Sequence, residues 1–416
     1  MLVPVPMRAA IGVAVLLGSL GRPVSAAGAA LTLADALARA HADSPELKAA
    51  AADLAAAQGR LLQAGVLVPN PVLSGEAARH SNPAEGVNVD RGVALAQEIE
   101  IGGQRGLRVE AARHDVARAE RALADRTRTV DGEVRRAFAG SVAADRRGAL
   151  ADQRLSLANR LLEAARKRAH AGDVGTLDVE LAQIEQTSAE QARAAAETDR
   201  ARAVDRLATV LGAAPGDEPD VVWHEPPAAD VPPETALVAR ALQARPDLAA
   251  AREEHVRLET EATLTRRRGT LPNPTLRGWY REEQRGEHIA GGGVDVPLPV
   301  FDRQAGAEIA QRAQASAAAA AADRLAREIP RAVHLALVRR AAAVTAWQRY
   351  QHDALPAAAH VRDLIEHAYA GGYLGLPDVL VQQGRLVDLE AAAIGAWLEL
   401  REAEADLVEA VGEDVP

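Results

Sequence analysis

Apolar positions along this chain follow two rhythms. Through most of its length they recur at helical spacing, and in one stretch of each half they alternate with period two, a further strand preceding each after the "PNP" punctuation. In the first half the helical rhythm predicts a helix over about 32–66, stopped where Pro69 and Pro71 remove backbone donors. From Val87 to Ile101 the odd positions are mostly apolar. The even ones are Asn88, Asp90, Gly92, Ala94, Ala96, Glu98 and Glu100, so this strand has one apolar face and one small or acidic face. At Gly102 and Gly103 the alternation ends, and a helix of about 104–169 is predicted. There Val109, Val116, Leu123, Val130, Ala137 and Ala144 recur every seven residues, the seam of a coiled coil. "AGDVGT" breaks that helix, and another carries the chain to about residue 211.

The same order then returns. "SPEL" at 44–47 recurs as "RPDL" at 245–248, and "VPNPVLSG" at 68–75 as "LPNPTLRG" at 271–278. "GDVGTLDV" at 172–179 matches "GYLGLPDV" at 372–379, and "LATVLG" at 207–212 matches "LVEAVG" at 407–412. Four landmarks in one order imply an internal duplication, each half forming the same supersecondary unit. The expected organisation is an export signal at 1–26, a first repeat over 27–213, a Pro-rich linker at 214–233 and a second repeat over 234–416. The second-half strand is expected over 287–300, with Gly291, Gly293 and Asp295 on its small or acidic face. Pro330 and Pro356 should kink the matching long helix. In the last helix Leu386, Leu389, Ala393, Ala396, Leu400, Ala403, Leu407 and Ala410 alternate steps of three and four, with Ala allowing close helix approach.

Composition sharpens this picture. Aromatic residues are only 2%, so a large globular core is not expected, and an Ala/Leu/Val interior suits bundles and coiled coils. The net charge of −10 is spread without a basic block, which argues against a nucleic-acid partner. Arg8, an apolar run from Ala9 to Leu20 and the small residues of "VSA" give the layout of a secretory signal. With no Cys there are no disulfides and no thiol-borne lipid anchor. No G-x-S-x-G, P-loop or H-E-x-x-H motif supports an enzyme, and no cofactor is implied. His360, Asp363 and His367 share a helical face at steps of three and four. Without a Cys or a tight pair of histidines they are read as solvated polar residues, not as a metal site.

Each alternating segment is about as long as a tilted transmembrane β-strand, and Trp279 and Tyr280 suit the aromatic belt of a membrane interface. The plainer reading is a small sheet capping a soluble bundle. A membrane-spanning sheet must close, and four strands cannot close a barrel, so several copies must pool their strands. A cyclic homotrimer supplies about twelve. The expected fold is therefore mainly α, with four β-strands per chain. Three chains would join a 12-stranded membrane β-barrel to a long coiled-coil α-barrel. Asn88, Asp90, Glu98, Glu100 and Asp295 would face the lumen, and Gly102 and Gly103 would make the barrel-to-helix joint.

The stretches "LTLADALARAHADSPEL", "VPNPVLSG", "QEIEIGGQRGLRVEAAR", "RPDLAAA", "LPNPTLRG" and "VPLPVFDRQAGAEIAQ" together resemble the TolC-like outer membrane efflux proteins. Among these, the chain is most similar to the outer membrane components of cobalt–zinc–cadmium and other heavy-metal efflux systems. The resemblance implies a trimeric outer membrane channel with a periplasmic helical extension. It also implies docking onto a periplasmic adaptor (membrane fusion) protein and an inner membrane resistance–nodulation–division pump. Many relatives carry an N-terminal lipidated Cys; this chain lacks it, so anchoring in outer membrane lipid would rest on the barrel.

The adaptor-contacting hairpin tips of the family fall on 171–178 and 370–378, at Gly172, Asp173, Gly175, Gly372, Tyr373 and Gly375. Asp378 matches an aspartate that some members place in a ring just past the second tip, and Asp178 is its counterpart. A second family aspartate is Val381 here. Asp178 and Asp378 would form a negative pore constriction, or serve only to start their helices, and both roles are compatible. Two other functions remain open from sequence: a periplasmic coiled-coil scaffold or adaptor without a barrel, and the same channel serving drug efflux or protein secretion.

Overall fold

The computed structural model describes residues 30–414 apart from 68, 83–85, 215, 217, 218, 226–230, 284 and 285; the expected signal at 1–26 lies outside the described residues. The first half runs α1 (Leu33–Asp43), α2 (Pro45–Ala64), β1 (Val72–Asn82), β2 (Gly86–Glu98), α3 (Gln104–His170) and α4 (Thr176–Val210). The second runs α5 (Glu234–Ala244), α6 (Pro246–Thr270), β3 (Thr275–Glu283), β4 (Glu287–Asp295), α7 (Ala305–Arg349), α8 (Leu355–Ala370) and α9 (Leu376–Val411), with a π-helical turn at Tyr350–Ala354 joining α7 to α8. At 1.5 Å per residue the 67-residue α3 is about 100 Å long, a rod rather than part of a compact domain.

The expected single helix over 32–66 is two helices. Proline disfavours the α conformation in the residue before it, and Ser44 sits at φ −53°, ψ 123° ahead of Pro45. Arg245, at φ −63°, ψ 118° ahead of Pro246, does the same between α5 and α6. "SPEL" and "RPDL" are therefore helix breaks. Gly212 and Gly412, at φ 66° and 87°, close α4 and α9 against these breaks. A Cβ on Gly212 would lie 2.7 Å from the Asp43 carbonyl oxygen, and one on Gly412 would lie 3.0 Å from Arg245 Cγ.

The long second-half helix responds differently at its two prolines. α7 runs unbroken through Pro330, whereas the chain widens to the π turn just before Pro356, which has no N–H for an intrahelical bond. The second strand of each hairpin ends sooner than expected. β4 stops at Asp295 because Pro297 and Pro299 cannot donate to a ladder, and β2 stops at Glu98.

The buried core lies along the helices. Six of the eight seam positions of α9 are buried (Leu386, Ala393, Leu400, Ala403, Leu407 and Ala410), and Leu389 and Ala396 are half-buried. On α3, Val130, Ala137 and Ala144 of the heptad seam are buried, while Val109, Val116 and Leu123 are half-buried. The expected linker is not free. Val221 bridges to Leu31, and Trp223 inserts between Phe138 and Trp397, with ring centroids 6.3 and 5.1 Å away. Arg401 pairs with Glu225 of this segment at 2.8 Å and with Glu404 at 2.9 Å. Burial pushes the Glu404 carboxyl above its ordinary value, against the pull of Arg401 and Arg340.

Candidate functional site

β1, β2, β3 and β4 form one antiparallel sheet in that order, leaving β1 and β4 as its edges. Directly opposed residues share a face, so the register sorts every side chain. One face carries the rows Glu76–Gly92–Arg281–Ile289, Ser74–Ala94–Trp279–Gly291, Val72–Ala96–Arg277–Gly293 and Glu98–Thr275–Asp295. The other carries Ala77–Arg91–Glu282–His288, Gly75–Val93–Tyr280–Ala290, Leu73–Leu95–Gly278–Gly292 and Gln97–Leu276–Val294. On this second face Leu73, Val93, Leu95, Leu276, Tyr280 and Val294 are exposed, Leu73 to 76%. Single exposed apolar residues are ordinary, but a continuous apolar sheet face marks a surface that meets lipid or protein.

On the first face Arg281 donates to Glu76 at 2.6 Å and Arg277 to Asp295 at 3.0 Å, while Asn273 Nδ2 donates to Glu98 Oε1 at 2.8 Å. Asp90, Glu98 and Asp295 belong to this polar face, and Asn88 is an even position of the same strand. Trp279 and Tyr280 cannot both face lipid, since neighbours on a strand point to opposite sides. Tyr280 lies on the apolar face with its hydroxyl 2.8 Å from His288 Nδ1. Trp279 lies on the polar face, its ring against the backbone of Gly291 and Gly293, so the two aromatic residues expected together at one interface lie on opposite faces.

Glu100 also departs from expectation. It lies beyond β2, its side chain is only 8% exposed, and Arg108 holds both carboxylate oxygens, with Nη2 to Oε2 at 3.1 Å. It pins the joint instead of facing a lumen. At that joint Gly103 adopts φ 73°, which a side chain disfavours, and starts α3. Gln104, 1% exposed, accepts from the Gly102 N–H at 2.9 Å and donates to the Leu271 carbonyl at 2.8 Å, tying together the roots of both hairpins. Arg105 donates to the Gly65 carbonyl, and Arg108 to those of Ala64 and Val66, so two guanidinium groups satisfy the open end of α2. Sequence reasoning stopped at the glycines and missed these three residues, although "GGQRGLR" contained them.

The tips lie at the far end of the helices. Gly172 and Gly372 reverse the chain at φ 82° and 74°, Asp173 donates its N–H to the Arg168 carbonyl at 2.9 Å, and Tyr373 is 88% exposed. Gly175 and Gly375 are extended residues that cap α4 and α9. The two tips touch: Arg168 lies 5.4 Å over the Tyr369 ring, and Leu161, Leu162, Ala165, Ile365, Leu376 and Val379 share one apolar cluster. Asp178 and Asp378 fall in the first turns of α4 and α9, half-buried and exposed respectively. Neither has an ion-pair or hydrogen-bonding side-chain partner among the described residues. His367 Nδ1 is bonded to the Asp363 backbone carbonyl of its own helix at 2.6 Å, and no metal-holding cluster of three occurs among the described residues.

Residues 36–213 match the model of the outer membrane efflux protein family. The chain is 31% identical over 290 residues to the cobalt–zinc–cadmium resistance protein CzcC of Cupriavidus metallidurans, covering 68% of this chain and 66% of that one. It is 31% identical over 214 residues to the nickel–cobalt–cadmium resistance protein NccC of Alcaligenes xylosoxydans xylosoxydans, covering 50% and 48%. The matched part thus spans about two thirds or less of these curated relatives. The fold is that of the Campylobacter jejuni CmeC outer membrane channel, with a TM-score of 0.78 at 15% identity over 91% of this chain and 85% of that one.

Proposed function

This chain belongs to the outer membrane efflux protein family, and from that membership we propose that three copies form a passive conduit through the outer membrane. The observation that carries this reading is a four-stranded sheet with an uncovered apolar face and two edges that no described residue pairs. Open edges in lipid leave backbone donors and acceptors unsatisfied, and four strands are too few to close on themselves. Pairing β4 of one chain with β1 of the next three times over removes every edge and gives a barrel of about twelve strands. The apolar face then meets lipid, the polar face lines the lumen, and the long helices continue the bore into the periplasm. No step of this is catalytic.

The proposed cargo is divalent heavy-metal cations, supported by the named resistances of the two relatives and by the carboxylates on the lumen face and at the tips. The tips at Gly172, Asp173, Gly175, Gly372, Tyr373 and Gly375 would meet a periplasmic adaptor fed by an inner membrane resistance–nodulation–division pump. Opening them is a shift between two packed states of the tip cluster. Deleting the gene and measuring tolerance tests the cargo. Increased sensitivity to cobalt, zinc, cadmium or nickel is expected; unchanged metal tolerance with increased drug sensitivity would reassign it.

A further inference from the structure

We propose that Arg79 and Arg91 form a binding site for the phosphates of anionic lipid headgroups in the outer leaflet. This rests on the channel reading, which sets which sheet face meets lipid. The four arginines described on the sheet divide by face. Arg277 and Arg281, on the polar face, are each paired with a carboxylate. Arg79 and Arg91, on the apolar face, are both exposed, and neither makes an ion pair or side-chain hydrogen bond among the described residues. An arginine left without a counter-ion on a face otherwise built for hydrocarbon needs an anion from outside the chain.

Their height along the strand names that anion. The apolar face begins at Ile99 and Ile101 beside the helices, and Arg91 lies eight to ten residues from them along the chain, close to the length a tilted strand uses to cross the hydrocarbon. Arg91 is therefore at the boundary remote from the periplasmic helices. Tyr280, one row nearer the helices, stacks on His288 at 5.9 Å and marks the same interface. Arg79 pairs in register with Val89, so it and Arg91 are diagonal neighbours, about 7–8 Å apart in a regular ladder. Two guanidinium forks at that spacing can grip one phosphate from both sides. Glu282, opposite Arg91, makes no ion pair with it and leaves the patch net positive.

The test uses the intact trimer in nanodiscs, with bis-phosphorylated lipid A and its dephosphorylated form as probes. Native mass spectrometry should show retention of the phosphorylated lipid at least ten-fold stronger than of the dephosphorylated one. Arg79→Gln/Arg91→Gln should abolish that preference, and Arg277→Gln/Arg281→Gln, which removes the same charge from the other face, should preserve it. Equal retention of both lipids by the wild-type trimer overturns the proposal without any variant, and so does a preference that survives the Arg79/Arg91 substitution. A wild-type chain that never forms a heat-modifiable trimer overturns the channel reading itself, and this proposal with it.

Discussion

Gly103 and Gln304 hold the same place in the two joints, each the residue before a long helix and each at positive φ, 73° and 60°. Gln304 tolerates it because Asp302 accepts from both its N–H and its side-chain amide at 2.8 Å. Gly103 has no such support, so Gly103→Ala should cost about 1–2 kcal/mol, read as a lower temperature for loss of the trimer on heating. An unchanged temperature would mean that the joint relaxes without strain. Gln104→Leu should cost more, about 1–3 kcal/mol for each buried group left unpaired, while Gln104→Glu retains the acceptor for Gly102 but loses the donor and buries a carboxylate beside the Leu271 carbonyl. The glycines were legible in the sequence because the rhythm changes there. The separate fates of Glu98 and Glu100 were not, because alternation ran through both and only the folded-back α3 brings Arg108 to one of them. The face that Trp279 takes was hidden for a related reason: its seat is made by glycines on a different strand.

Between elements, the breaks at Pro45 and Pro246 and the insertion of Trp223 are what the helical rhythm concealed. Apolar periodicity continues across Ser44–Pro45, so one long helix satisfied the pattern; the backbone restriction before proline decided otherwise. Trp223 lies in a segment whose prolines and acids look like a tether, yet its indole fills space between Phe138 and Trp397. Trp223→Ala should cost about 3–5 kcal/mol and lower the thermal stability of the helical body; a change within error would show the segment to be a tether after all. The α5–α6 break also carries a pH signature. Burial works to raise the Asp247 pKa, but hydrogen bonds and charge from Arg245 hold it below the ordinary aspartate range. Its contribution is present above the unfolded value of about 3.9 and is lost as pH falls through the depressed folded value. Asp247→Asn should therefore destabilise at neutral pH and flatten the acid limb of a stability–pH curve; an unchanged acid limb would remove the assignment. At the tips, Asp178→Asn/Asp378→Asn should lower the cation-over-anion permeability of the reconstituted channel. Unaltered selectivity would leave those aspartates as helix-starting residues alone.

At the scale of the molecule, the mainly helical class, the four strands and the repeated element order were legible because they rest on periodicity and on punctuation by Pro and Gly. What closes the sheet was inferred from the physics of closure and not from any pattern, since no pattern within one chain specifies the strand that pairs with its edge. The uncovered apolar face turns the question of solubility into one of assembly. A soluble periplasmic scaffold would hold that face in water, whereas a barrel turns it to lipid. The most direct test is to weigh, by native mass spectrometry, the particle extracted from the outer membrane fraction. Three copies of the chain in a heat-modifiable particle are the predicted result; a monomer recovered from the soluble periplasm would contradict the account.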